Sequence, residues 1–161
     1  MKIFDHVGIT VRDVERSLRF YREILGMSVR PMDGDALPRS EGGPGRFDSG
    51  VIAIRSESFD ELTNSHGNEI KFVNLRSEDG AFTLQLIEYV EGGTGELELA
   101  HSRVGSVHLD VFVDDVQAIY DDLTARADVE ITSPLVQIAP GIRAFYIADP
   151  DGIPIQFAEP M

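Results

Sequence analysis

Twice along the chain, apolar and polar residues alternate with a period of two and then shift to the spacing of a helix. The stretches are HVGITVRDVERSLRFY (6–21) and HLDVFVDDVQAIYDDL (108–123). Alternation puts successive side chains on opposite faces of a strand, whereas apolar residues three and four apart line one face of a helix. Each stretch therefore predicts a strand followed by a helix. Asp13 and Asp115 stand where the period changes. A short carboxylate there accepts hydrogen bonds from the free N–H groups of the first helical turn. The first helix is predicted to reach Leu25 and stop at Gly26, and the second to run to about Ala127.

The two stretches are copies. At an offset of 102, His6 matches His108, Val7 matches Leu109, Ile9 matches Val111, Val11 matches Val113 and Asp13 matches Asp115. The repeat continues later in each copy, where LQLIE (84–88) resembles IQFAE (155–159). Each follows an Asp-Gly pair, Asp79-Gly80 or Asp151-Gly152, the punctuation of a hairpin. Each copy thus reads strand–helix–strand–strand–strand. His6 and Gln85 are 79 positions apart, but His108 and Gln156 only 48, a difference of 31. The excess places an insertion in the first copy at about 32–68, a stretch rich in Gly, Ser, Asp and Pro. It reads as a long loop with one strand-like piece, Val51–Arg55, and loops of that length are often lids or binding elements. Glu57 reaches a pocket only if this insertion folds over one. The expected division is an N-terminal module at 1–90, a linker at 91–104 and a C-terminal module at 105–161. Residues 96–104 of the linker read as a short helix or a docking segment.

Parity assigns the faces. Val7, Ile9 and Val11 turn toward the helix, and His6, Gly8 and Thr10 turn away from it. In the second copy Leu109, Val111 and Val113 turn toward the helix, opposite His108, Asp110 and Phe112. Leu84 and Leu86 oppose Gln85, and Ile155 and Phe157 oppose Gln156. If the two sheets join edge to edge and curl, His6, Gln85, His108 and Gln156 converge in one cup, two imidazoles and two amides around a shared site. Glu88 and Glu159 also repeat, but parity sends them to the outer face. His66 and His101 do not repeat and read as surface or loop residues.

Composition narrows the function classes. The 161 residues include no Cys, which removes disulfides, thiolate nucleophiles and thiolate metal sites. No apolar run approaches the about 20 residues that span a bilayer, and MKIFDHVGIT lacks the apolar core of a secretory signal. A cytoplasmic protein without membrane partners is expected. The net charge of −14 disfavours a nucleic acid backbone as partner. It serves solubility, or attraction of a cationic ligand.

Four stretches, HVGITVRDVERSLRFYREILGM, FTLQLIEYV, GSVHLDVFVDDV and FYIADPDGIPIQF, together resemble the vicinal oxygen chelate superfamily across nearly the whole chain. That superfamily contains glyoxalase I, methylmalonyl-CoA epimerase, extradiol dioxygenases, and the fosfomycin- and bleomycin-resistance proteins. The resemblance implies an α+β fold of two tandem βαβββ modules forming a cup-shaped mixed sheet with helices outside, commonly completed as a homodimer. It implies one divalent metal ion on His6, Gln85, His108 and Gln156, with Zn, Ni, Co, Mn and Fe all suited to the ligands. The chain departs from the family pattern at Gln156, where members that do chemistry usually carry Glu. An amide coordinates but accepts no proton at neutral pH, which disfavours oxygenase chemistry and leaves a base to be found. Asp110, on the same face as His108, is the expected catalytic base, and Thr10, Phe112 and Tyr146 are the expected pocket residues. The function implied is a metal-dependent lyase, isomerase or epimerase of a small oxygenated substrate, acting through an enolate-like intermediate. The other implied class is a metal-free protein that sequesters a cationic ligand, as bleomycin-resistance proteins do.

Overall fold

The computed structural model describes residues 1–32, 43–65, 67–91 and 101–159. His66, residues 33–42 of the expected insertion and residues 92–100 of the expected linker lie outside the described residues. The fold is α+β, and the chain divides into two compact units, Met1–Gly95 and Glu96–Met161, each with its own mixed sheet.

The first unit runs β1 (Val7–Thr10), α1 (Val14–Leu25), β2 (Ser28–Val29), β3 (Gly45–Arg46), β4 (Ile52–Ile54), α2 (Glu57–Thr63), β5 (Ile70–Arg76) and β6 (Thr83–Tyr89). The sheet order is β1-β6-β5-β4-β3, with β2 also on β5. Only the β1–β6 pair is parallel. Helix α1 starts where expected, because the Asp13 carboxylate accepts from the Arg16 N–H at 2.9 Å. It stops at Gly26, whose φ of 64° is a left-handed conformation that costs a glycine little.

The core of this unit lies between α1 and the strands behind it. Val14, Leu18 and Tyr21 recur at helical spacing and are buried, as are Val73, Leu75, Leu84 and Leu86 on β5 and β6. Each such side chain contributes about 1.5–3 kcal/mol by leaving water. Ile9 and Val11 join this layer as parity predicted. Val7 departs from it and stays 47% exposed, at the first residue of β1.

Glu88 does lie on the helix side. Its Oε2 accepts the Val14 N–H at 3.0 Å and its Oε1 accepts from Lys71 Nζ at 3.2 Å. A carboxylate at the first N–H of a helix satisfies an orphan donor and complements the helix dipole.

The described residues of the insertion form more than one strand. Its strand-like piece is β4, a short β3 pairs with β4, and Glu57–Thr63 forms α2. Phe59 of α2, with Met32, Ile87 and Tyr89, packs against a buried cluster of Ile52, Ile54, Ile70 and Phe72. By register Phe72 faces Ile87 and Ile70 faces Tyr89, so this cluster lies on the same sheet face as Gln85. Helix α2 thus seals part of that face. Glu57, in its first turn, is exposed.

The second unit runs β7 (Leu109–Phe112), α3 (Val116–Thr124), β8 (Glu130–Ile131), β9 (Val136–Ala139), β10 (Ile142–Ala148) and β11 (Pro154–Ala158). Its order is β7-β11-β10-β8, with β9 also on β10, and only β7–β11 is parallel. Asp115 caps α3 through the Ala118 N–H at 3.0 Å. The helix ends at Thr124 rather than Ala127. There the Ala125 N–H is shared among three preceding carbonyls, and Arg126 turns to Asp128 at 2.7 Å. The core stacks Phe145 on Phe157 at 5.4 Å between ring centres, with Tyr120 edge-on to Phe145 at 5.0 Å. The buried Asp149 carboxylate accepts from the Asp151 and Ile153 N–H groups, both at 2.8 Å, and so builds the DPDG turn. Glu159, the counterpart of Glu88, pairs with Arg143 at 2.9 Å. Residues 101–104 of the expected linker form turns.

Candidate functional site

Each unit brings a histidine and a glutamine to neighbouring strands. In the first, His6 immediately precedes β1, and Gln85 lies in β6 opposite Gly8 of β1 and Asn74 of β5. The His6 side chain is 36% exposed, and its Nδ1 lies 2.8 Å from Asp5 Oδ2. Asp5 Oδ1 accepts from Arg30 Nη1 at 3.3 Å. The hydrogen bond to His6, and then the one from Arg30, hold the Asp5 carboxyl below the usual carboxylate range. Gln85 Nε2 donates to Asn74 Oδ1 at 3.0 Å, and Asn74 is buried. That bond turns the Gln85 carbonyl away from Asn74, and among the described residues Gln85 Oε1 accepts no hydrogen bond. Thr10 ends β1 opposite Ile87 and is exposed.

In the second unit His108 immediately precedes β7, and Gln156 lies in β11 between Asp110 of β7 and Tyr146 of β10. The Tyr146 hydroxyl donates to Gln156 Oε1 in a short hydrogen bond. Tyr146 therefore occupies the register position that Asn74 holds in the first unit, with the opposite hydrogen-bonding sense. The His108 ring stands edge-on to Tyr146 at 5.7 Å between centres. Burial, and then the charge of Asp110, push the Tyr146 phenol up. A raised phenol stays protonated and remains a donor. Asp110 itself is exposed, and Phe112 is 67% exposed opposite Ala158.

One residue absent from the expected set belongs here. His101 lies in an exposed turn, but its ring sits 4.4 Å from that of Tyr146 and 6.5 Å from that of His108. It has no counterpart in the first copy, so the repeat gave no signal for it.

A sequence profile of the Glyoxalase/Bleomycin resistance protein/Dioxygenase superfamily matches residues 3–157. The chain belongs to this superfamily. It is similar to the uncharacterized protein YwbC of Bacillus subtilis (strain 168), at 30% identity over 156 residues, covering 97% of this chain and 96% of that one. In fold it is similar to a glyoxalase family protein from Bacillus cereus, with a TM-score of 0.74 at 19% identity over 97% of this chain and 92% of the other. It is also similar to a Glu-to-Gln variant of the fosfomycin resistance protein FosX from Listeria monocytogenes, complexed with Mn(II) and 1S,2S-dihydroxypropylphosphonic acid. There the TM-score is 0.57 at 13% identity over 98% and 91% of the two chains. Among the described residues no helix is long and apolar enough to cross a membrane.

The superfamily includes metal-dependent enzymes, and this glyoxalase-superfamily chain carries donors of the kind that bind a divalent ion. With Nδ1 engaged by Asp5, His6 has Nε2 to offer. Among the described residues the Gln85 carbonyl oxygen accepts no hydrogen bond. Gln156 Oε1 accepts the tyrosine proton, but a carbonyl oxygen has two lone pairs, so one remains. His108 engages Tyr146 through ring faces and edges only. These nitrogen and oxygen donors suit a borderline divalent ion. Neither unit's pair fills a coordination shell by itself. Among the described residues no three His, Asp or Glu side chains group to hold an ion without the amides.

Proposed function

We propose that the protein is a divalent-metal-dependent lyase or isomerase/epimerase of the glyoxalase-like type, acting on a small oxygenated substrate through an enolate-like intermediate. In this reading His6, Gln85, His108 and Gln156 hold one ion of Zn, Ni, Co, Mn or Fe. The observation that carries it is the recurrence in both units of a histidine just before the first strand and a glutamine on the strand beside it. Each glutamine is also fixed by its cross-strand neighbour. Packing alone gives no reason for that recurrence.

Four neutral donors leave a bound ion its full charge, and such an ion supplies Lewis acidity toward an anionic substrate oxygen. The proton is moved by the chain. Gln156 accepts none, so Asp110, beside it in register and exposed, takes the C–H proton. Tyr146, kept as a phenol by burial and by Asp110, lines the pocket and orients Gln156. Thr10 and Phe112 complete the pocket lining. We place the active form as a homodimer in the cytoplasm. The absence of cysteine agrees with that compartment, and the exposed Phe4 and Phe112 agree with a covering second copy.

The test is elemental analysis of protein purified without chelator, followed by solvent-deuterium exchange at the carbon beside the carbonyl of the methylglyoxal–glutathione hemithioacetal and of 2-hydroxy aldehydes. About one ion per chain is expected, together with exchange that Asp110→Asn abolishes. Protein that is metal-free, resists reconstitution and binds a cationic glycopeptide in a salt-sensitive way would replace this reading with sequestration.

A further inference from the structure

Asp5 is not one of the expected ligands or bases, and the repeat does not reach it, since its counterpart is Val107. Yet its two carboxylate oxygens are divided between His6 Nδ1 at 2.8 Å and Arg30 Nη1 at 3.3 Å. We propose that Asp5, braced by Arg30, is a positioning residue that holds His6 in the Nδ1–H tautomer and leaves Nε2 as its free donor. The metal reading above is needed only for the consequence this has for ion binding.

An ionised carboxylate only accepts hydrogen bonds, so the nitrogen facing it carries the proton. In a neutral imidazole the lone pair is then on the other nitrogen. The His6 side chain is 36% exposed, and Asp5 and Arg30 define its orientation. The brace also connects to Gln85. The Arg30 backbone N–H donates to the Asn74 carbonyl at 2.8 Å, and the Asn74 side chain accepts from Gln85. One chain of contacts therefore runs from His6 through Asp5, Arg30 and Asn74 to Gln85, and sets both side chains together. Partners of this kind on ligating histidines typically change metal affinity by about 10–100-fold.

The experiment uses the metal-free full chain, labelled with nitrogen-15, at a pH where its four histidines are neutral. Long-range proton–nitrogen correlation reads each ring's tautomer, and His6→Gln assigns the His6 signals. The expected result is a dominant Nδ1–H form at His6, shifted toward Nε2–H in Asp5→Ala, partly shifted in Arg30→Gln and restored in Asp5→Glu. A wild-type His6 in the Nε2–H form, or one whose tautomer Asp5→Ala leaves unchanged, overturns the inference. Zinc titration of the same samples should show Asp5→Ala weaker by about 10–100-fold. Zinc binding that is absent in the wild type, with the tautomer shift intact, ends the metal reading and leaves the role of Asp5 standing.

Discussion

Replacing Glu88 by alanine separates structure from chemistry at a carboxylate that recurs in both copies. Its Oε2 is 3.0 Å from the N–H of the fully buried Val14, and its side chain is only 15% exposed. Removing it loses a hydrogen bond to a charged group, about 1.5–3 kcal/mol, with the N–H left in a dry place. The Lys71 ammonium, 28% exposed at 3.2 Å, adds about 0–1 kcal/mol. The expected loss is about 2–4 kcal/mol. At about 2–4 °C per kcal/mol for a chain of this size, Tm should fall by about 4–16 °C. Glu159→Ala should cost about 1 kcal/mol or less, because its pair with Arg143 is 30% and 42% exposed and caps no helix. Urea unfolding followed by circular dichroism reads both variants, with zinc titration alongside. A Glu88→Ala protein of unchanged stability but altered zinc affinity would refute the structural assignment and return Glu88 to the site.

Gln156→Glu adds a negative charge to the proposed ligand set and should tighten zinc binding by about tenfold or more, roughly 1.4 kcal/mol; calorimetry that finds no gain removes Gln156 from the ligands. Tyr146 holds its proton more tightly folded than unfolded, so its contribution to stability is complete below the ordinary phenol value of 10.0 and is lost as pH rises through the raised folded value. Urea midpoints on the alkaline limb should fall more steeply for the wild type than for Tyr146→Phe. Asp149→Ala strips the DPDG turn of an acceptor shared by two N–H groups and should destabilise by about 2–4 kcal/mol in the same unfolding assay. Gly50→Ala combines a φ of 92° with a Cβ 2.8 Å from Val29 Cγ1, so a loss of about 1–3 kcal/mol is expected in thermal melts.

The fold was legible because the chain states its pattern twice. The period change at Asp13 and Asp115 marks two helix starts, and alternation correctly buries Leu84, Leu86, Ile155 and Phe157. Helix α2 was not legible. In ESFDELT only Phe59 and Leu62 are apolar, and Leu62 is 78% exposed, so a single anchor leaves no period to read. The positions of the paired histidines and glutamines came from the repeat, but their surroundings did not. The cross-strand partners of Gln85 and Gln156 depend on hairpin register, and the contact of His101 with Tyr146 joins a turn to a strand remote in sequence. Such contacts are tertiary and leave no trace in local spacing.

The residue across from each glutamine, an acceptor amide in Asn74 and a donor phenol in Tyr146, gives the two halves different molecular grammar. The two strands differ at a point where exchanging one side chain for its counterpart would rotate an amide end for end. An engineer could therefore retune one half while the other keeps its native contacts, and a transplant of Tyr146 into the place of Asn74 would carry the orientation of its neighbour along with it.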